Sequence, residues 1–187
     1  MSVAIDHTGP WTVADVLALP EDRAVRYELL GESLVMSPAP GVRHQRASFR
    51  LHVALDAAAR AVGAPVEVLE GVNVVLPSGL VVPDLVVADA GATADDPVTI
   101  DIDAVQLVVE LVSPGNSTMD RKVKPMLYAE AAIPHFWRLE FDPAPMLVIY
   151  DLQGGRYVER TTALAGTTTH LDAPFPIAID PAGLSRQ

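Results

Sequence analysis

The stretch Val105-Gln106-Leu107-Val108-Val109-Glu110-Leu111-Val112 constrains this chain more than any other. It is the most β-like segment present, and its near-continuous apolarity suits a central strand covered on both faces of a sheet. Glu110 falls inside it. An ionised carboxylate at such a place costs several kcal/mol unless it is paired, hydrogen-bonded or bound to a cation. Asp84, within Val81-Val82-Pro83-Asp84-Leu85-Val86-Val87, raises the same question. Pro83 removes a ladder donor there, so the strand is at an edge or bulged. Two carboxylates brought together by a sheet make an all-oxygen site suited to Mg²⁺ or Mn²⁺. Each taken alone is equally well a satisfied structural acid.

The remaining pattern supplies a sheet and its helices. Residues 11–20 read as a short helix capped by Thr12 and stopped by Pro20. Arg26–Leu30 and Ser33–Met36 flank Gly31-Glu32 as a hairpin. From about Arg43 to Val62, apolar Phe49, Val53, Leu55 and Ala59 mark an amphipathic helix of about five turns. Strands follow at 66–69, 72–76 and 80–88, the last interrupted by Pro83. The stretch 89–103, with Gly, Pro and five Asp, reads as an exposed loop. Beyond the central strand, residues 113–118 form a break and a helix runs to about Ala132. Strands at 134–139, 147–151 and 156–160 close the series, the last two joined as a hairpin through Gln153-Gly154-Gly155. Strands mixed with two main helices predict an α/β domain over 1–187, with a core at about 11–160 and a C-terminal strand or tail at 161–187.

Half of the 187 residues are hydrophobic and a fifth are charged, which excludes a disordered chain. No apolar run approaches the roughly 20 residues of a membrane helix, and Met1–Trp11 lacks the pattern of a signal peptide. The absence of cysteine excludes disulfides and thiolate metal sites. The expected compartment is the cytosol. Thirteen basic residues against 24 acidic ones give a net charge of −11. Eleven of the thirteen are Arg, and the two Lys stand together at Lys122 and Lys124. Lys is a compact charge whose pKa shifts readily on burial, so this pair has a chemistry that Arg lacks; codon bias is the plain alternative.

Weaker constellations have bland readings. His44 and His52 lie eight apart on one helix, without a third zinc ligand. Ser113 has no Gly-x-Ser-x-Gly elbow. Phe136 and Trp137 suit a core as well as base stacking. Arg43, Arg46 and Arg50 form a stripe that suits phosphates or solvent equally.

The ordered set Tyr27-Glu28-Leu29-Leu30-Gly31-Glu32, Ser37-Pro38-Ala39-Pro40 with His44-Gln45, Pro83-Asp84, Val109-Glu110-Leu111-Val112-Ser113-Pro114, then Asp120, Lys124, Tyr128 and Ile133-Pro134-His135-Phe136-Trp137 resembles the Uma-type restriction endonuclease family. That family is placed in the PD-(D/E)XK nuclease superfamily, and the resemblance covers about Trp11–Asp151. It implies a three-layer restriction-endonuclease-like domain, with a central mixed sheet, the 43–62 helix on one face and the helix after Lys124 on the other.

The resemblance also implies roles. Asp84 and Glu110 would be metal-binding carboxylates, with the backbone carbonyl of Leu111 as a further oxygen ligand. The superfamily lysine is replaced by Val112 at its usual place, and Lys124 from the next helix occupies the matching position. Glu28 matches an additional acidic site residue, and His44 a polar one, with Gln45 beside it. Pro125 disfavours helix at the residue before it, which would put Lys124 at the helix cap; Lys122 is then the reserve, or a solvated loop cation. The implied activity is Mg²⁺- or Mn²⁺-dependent hydrolysis of DNA, by a chain able to act as a homodimer. The rivals are a silent module for dimerisation or partner binding, which the acidic charge favours, and a nuclease acting on RNA or small nucleotides.

Overall fold

The computed structural model describes residues 7–20, 24–113, 115 and 117–185, so Met1–Asp6, and Pro114 and Asn116 of the 113–118 break, lie outside the described residues. Thr12 opens helix α1 (Val13–Leu17) through a capping box with Asp15. Strands β1 (Val25–Leu30) and β2 (Ser33–Pro38) pair as the expected hairpin, Leu30 opposite Ser33. Helix α2 (Val42–Val62) ends on Gly63 in the left-handed conformation, φ 64°. Its buried stripe is Ala47, Leu51, Leu55 and Ala59. Phe49 and Val53, expected on the apolar face, are 62% and 48% exposed. Phe49 lies two positions from both Ala47 and Leu51, about 200° around the helix, and the regular four-residue stripe wins.

Strands β3 (Val66–Glu70), β4 (Asn73–Leu76), β5 (Gly79–Val81) and β6 (Leu85–Asp89) follow. The stretch read as an exposed loop instead holds helix α3 (Ala90–Thr93), strand β7 (Thr99–Asp101) and a 3₁₀ turn, Ile102–Ala104. Two of its Asp residues are caps: Asp89 accepts from the Gly91 amide and Asp101 from the Asp103 amide, while Ile100 is buried. After β8 (Val105–Leu111), a π-helical turn, Met119–Val123, leads into α4 (Lys124–Glu130). The chain finishes with β9 (His135–Glu140), β10 (Met146–Gln153), β11 (Arg156–Leu164), β12 (Thr169–Leu171), β13 (Ile177–Ile179) and α5 (Ala182–Ser185).

One sheet has the order β11-β10-β9-β8-β6-β3 and a second β2-β1-β5-β4-β7. The first is mixed, β8 and β9 being parallel and the other pairs antiparallel. Pro83 thus marks more than a bulge: Val82-Pro83-Asp84 carries the chain from the second sheet to the first. Alternation along β6 and β8 builds two cores. Leu85, Val87, Leu107, Val109 and Leu111 pack beneath α2, and Leu171, Phe175, Ile177, Ile179 and Leu184 from beyond residue 160 join them. Val86, Ala88 and Val108 face Tyr128 of α4, Ile133 and the second sheet's Val74, Val81 and Ile100. Strand β8 is therefore covered on both faces. Among the described residues no helix is long and apolar enough to cross a membrane.

Candidate active site

Glu110 shares parity with Val108, so its side chain leaves β8 on the α4 side. The antiparallel register pairs Leu85 with Val109, and one step further along it sets Asp84 opposite Glu110. The Asp84 carboxylate is then held from three directions. Its Oδ2 accepts from the Leu111 amide at 2.8 Å and lies 3.0 Å from His44 Nε2, at the start of α2. Its Oδ1 accepts from Arg26 Nη1 at 2.8 Å. Burial works to raise the Asp84 pKa, but the His44 hydrogen bond and charge, the Leu111 amide and Arg26 outweigh it and hold the carboxyl below its usual range. His44 Nδ1 is buried with no hydrogen-bond partner among the described residues.

Lys124 is not the N-cap of α4, which is Val123. It has φ −58° and ψ −46° and is followed by Pro125 within α4. Pro125 is the second residue of α4, where its missing N–H costs little, and the buried ion pairs of Lys124 hold the residue before it helical against its local preference. Helical placement points Lys124 inward. Its Nζ donates to Glu28 Oε1 at 2.9 Å and lies 3.1 Å from Glu110 Oε1. Glu28 Oε1 also accepts from the Val82 amide at 2.9 Å, which ties β1 to the crossing that carries Asp84. The Tyr128 hydroxyl donates to Glu110 Oε1.

These contacts set the charges. Burial pushes the Glu110 pKa up to about 8, with Lys124 opposing and the Asp84 and Glu28 carboxylates adding to the rise. Burial alone would lower the Lys124 pKa, yet the Glu110 and Glu28 carboxylates drive it above the ordinary range. Asp120, in the π-helical turn, accepts from the Ser113 amide at 3.2 Å; burial raises its pKa to about 6.

Glu28, His44, Asp84, Glu110 and Lys124 line one cleft of about 450 Å³ together with Arg26. Lys122 is exposed and lines a different groove. Gln45 does not line this cleft; its Nε2 donates to the Pro40 carbonyl at 3.1 Å, and it lines an adjoining groove with His44 and Asp84. His52 stands 3.9 Å from Glu70, apart from His44, and Phe136 and Trp137 are core. Two contributors escaped the sequence reading as site residues. Arg26 lies two positions before Glu28, hence on the same strand face, and Tyr128 four after Lys124, hence on the same helix face.

Among the described residues no group of three or more His, Asp or Glu side chains is arranged to hold a metal ion. The donors still suit a small hard cation, since Mg²⁺ is commonly held by one or two carboxylates and completed by water and substrate phosphate. Asp84 is ionised, and Glu110 is a buried carboxyl crowded by two others.

A family model described as Uma2, putative restriction endonuclease, matches residues 13–183. This chain belongs to the Uma2 family. The match runs from α1 to α5 and includes every residue of the cleft named above. The Uma2 chain is also similar to the crystal structure of a putative nuclease belonging to DUF820 from Anabaena variabilis. The TM-score is 0.68 over 80% of this chain and 84% of that one, at 15% sequence identity, which is a likeness of fold. A comparison with curated proteins finds no match.

Proposed function

We propose that this Uma2 protein is a divalent-metal-dependent endonuclease that hydrolyses DNA phosphodiester bonds. The observation that carries the reading is Lys124 Nζ set between Glu28 and Glu110 in the cleft that also holds Asp84. Asp84, Glu110 and the backbone carbonyl of Leu111 would hold Mg²⁺ or Mn²⁺. Such a cation, when bound, neutralises phosphate charge and makes water more acidic.

The chain's own residues do the rest by position. His44 and the Leu111 amide keep the Asp84 carboxylate ionised and aimed into the cleft. Tyr128 fixes Glu110 from the side of α4. Flanked by carboxylates, Lys124 stays cationic, so it acts as a donor that orients the attacking water or the scissile phosphate rather than as the base. Glu28 holds the ammonium in place. The balanced reaction breaks one P–O ester bond, adds the water oxygen to phosphorus and passes a proton to the leaving alcohol oxygen.

Cleavage of DNA, with RNA in parallel, is followed against Mg²⁺ and Mn²⁺ for the wild type, Glu110→Gln and Lys124→Ala. The expected result is metal-dependent DNA cleavage that falls at least about 100-fold in both variants. Equal cleavage by all three proteins overturns the reading.

A further inference from the structure

On the face of α4 opposite the cleft lies a second groove, of about 630 Å³. Arg121 and Lys122 from the π-helical turn, Arg138 from β9 and Arg156 from the β10–β11 hairpin all line it. These are four of the thirteen basic residues of a chain whose net charge is −11. Glu140 occupies two of them, accepting from Arg121 at 2.6 Å and 2.9 Å and from Arg138 at 2.9 Å, and Glu130 stands at the rim. Lys122 and Arg156 are exposed and have no ion pair among the described residues. The floor is aromatic: Phe136 packs against Tyr150 and Tyr157 at ring distances of 5.6 Å and 5.4 Å, and Arg138 lies over Tyr150.

We propose that this groove is a binding site for the phosphate backbone of a single nucleic-acid strand, outside the cleft. The inference rests on the nuclease reading and extends it to substrate positioning. The rings pack on one another and close the floor, so what the groove offers a polynucleotide strand is its cations, which meet phosphates. One connection links groove and cleft: the turn that presents Arg121 and Lys122 outward continues directly into Lys124, which points inward. The two sites are separated by the width of α4, about 10–12 Å with side chains.

The test measures binding of a short fluorescein-labelled single-stranded DNA by anisotropy, in EDTA to prevent turnover, across a salt series. Wild type is compared with Lys122→Ala/Arg156→Ala and with Arg60→Ala, a surface cation on α2 paired with Asp56 and remote from the groove. The double variant is expected to bind at least about tenfold more weakly at low salt. Its slope of log affinity against log salt should fall by about 1.4, the contribution of two phosphate contacts to a single strand. Arg60→Ala should leave the slope unchanged. An unchanged slope in the double variant, or an equal loss per charge in Arg60→Ala, overturns the proposal. Metal-dependent cleavage by the same wild-type preparation separates the two readings. If it cleaves while the double variant binds normally, only the groove assignment fails; if it neither binds nor cleaves, the nuclease reading itself fails.

Discussion

A carboxylate buried in a strand needs partners, and Glu110 finds Tyr128 and Lys124 on one helix face four residues apart. The acid was conspicuous in the sequence because it conflicts with the apolar run around it. Lys124 stood out as one of only two lysines and through the family resemblance, whereas a tyrosine in a short helix conflicts with nothing and gave no signal of its own. Arg26 is the same case: only the fold shows that it meets Asp84. A second buried acid, Glu140, gives a pH prediction away from the cleft. The Arg121 hydrogen bond chiefly, then the charges of Arg121 and Arg138, hold its pKa below the ordinary 4.5 despite partial burial. The unfolded chain therefore takes up this proton at higher pH than the folded one. The stabilisation is complete above the unfolded value and disappears as pH falls through the folded one. Solvent around Arg121 limits it to about 1 kcal/mol or less. Urea midpoints should place Glu140→Gln below the wild type at neutral pH, with the gap closing in acid; a gap that widens in acid contradicts this assignment.

At the scale of elements, the site depends on strands that leave one sheet for another. The sequence showed an interruption at Pro83, and a break and a crossing look alike in a linear pattern. Gly79 lets β5 lie close against β1 just ahead of the crossing. Its φ is +150°, and a Cβ there would lie 2.0 Å from the Leu29 carbonyl oxygen, at the pairing of β1 with β5. Because β1 presents Glu28 to Lys124, Gly79→Ala should loosen the lysine's anchor as well as strain the backbone. The expected cost is at least about 2 kcal/mol in chemical denaturation. A variant with wild-type stability would show that β1 can shift freely. Helix α2 carries a related lesson. Its existence and approximate ends were legible from periodicity, but the choice of buried face fell to a stripe of small and medium side chains over the larger Phe49.

For the whole molecule, the acidic balance predicts weak and salt-sensitive association with DNA except where cations gather. The C-terminal region matters to the same whole. Leu171, Phe175, Ile177, Ile179 and Leu184 fill the core under α2. Fully burying one such side chain contributes about 1.5–3 kcal/mol, so five of them approach the 5–15 kcal/mol that typically separates folded from unfolded chains. Ending the chain after Leu164 should abolish cooperative thermal unfolding, followed by circular dichroism. A sharp transition near the wild-type temperature would show that the segment is dispensable.

By itself the sequence determined the α/β class, the central strand, the long helix and the acids that conflict with their surroundings. Those features are local, because hydrophobic period, turn residues and a charge in an apolar run are all set by near neighbours. Only the tertiary structure decided that Lys124 and not Lys122 enters the cleft, that Arg26 and Tyr128 complete it, and that Val82–Asp84 crosses between sheets. Those facts depend on which way a side chain points once α4 and β1 are packed against β8. That packing is the sum of many weak contacts between residues distant in the chain, and no single stretch of sequence records it.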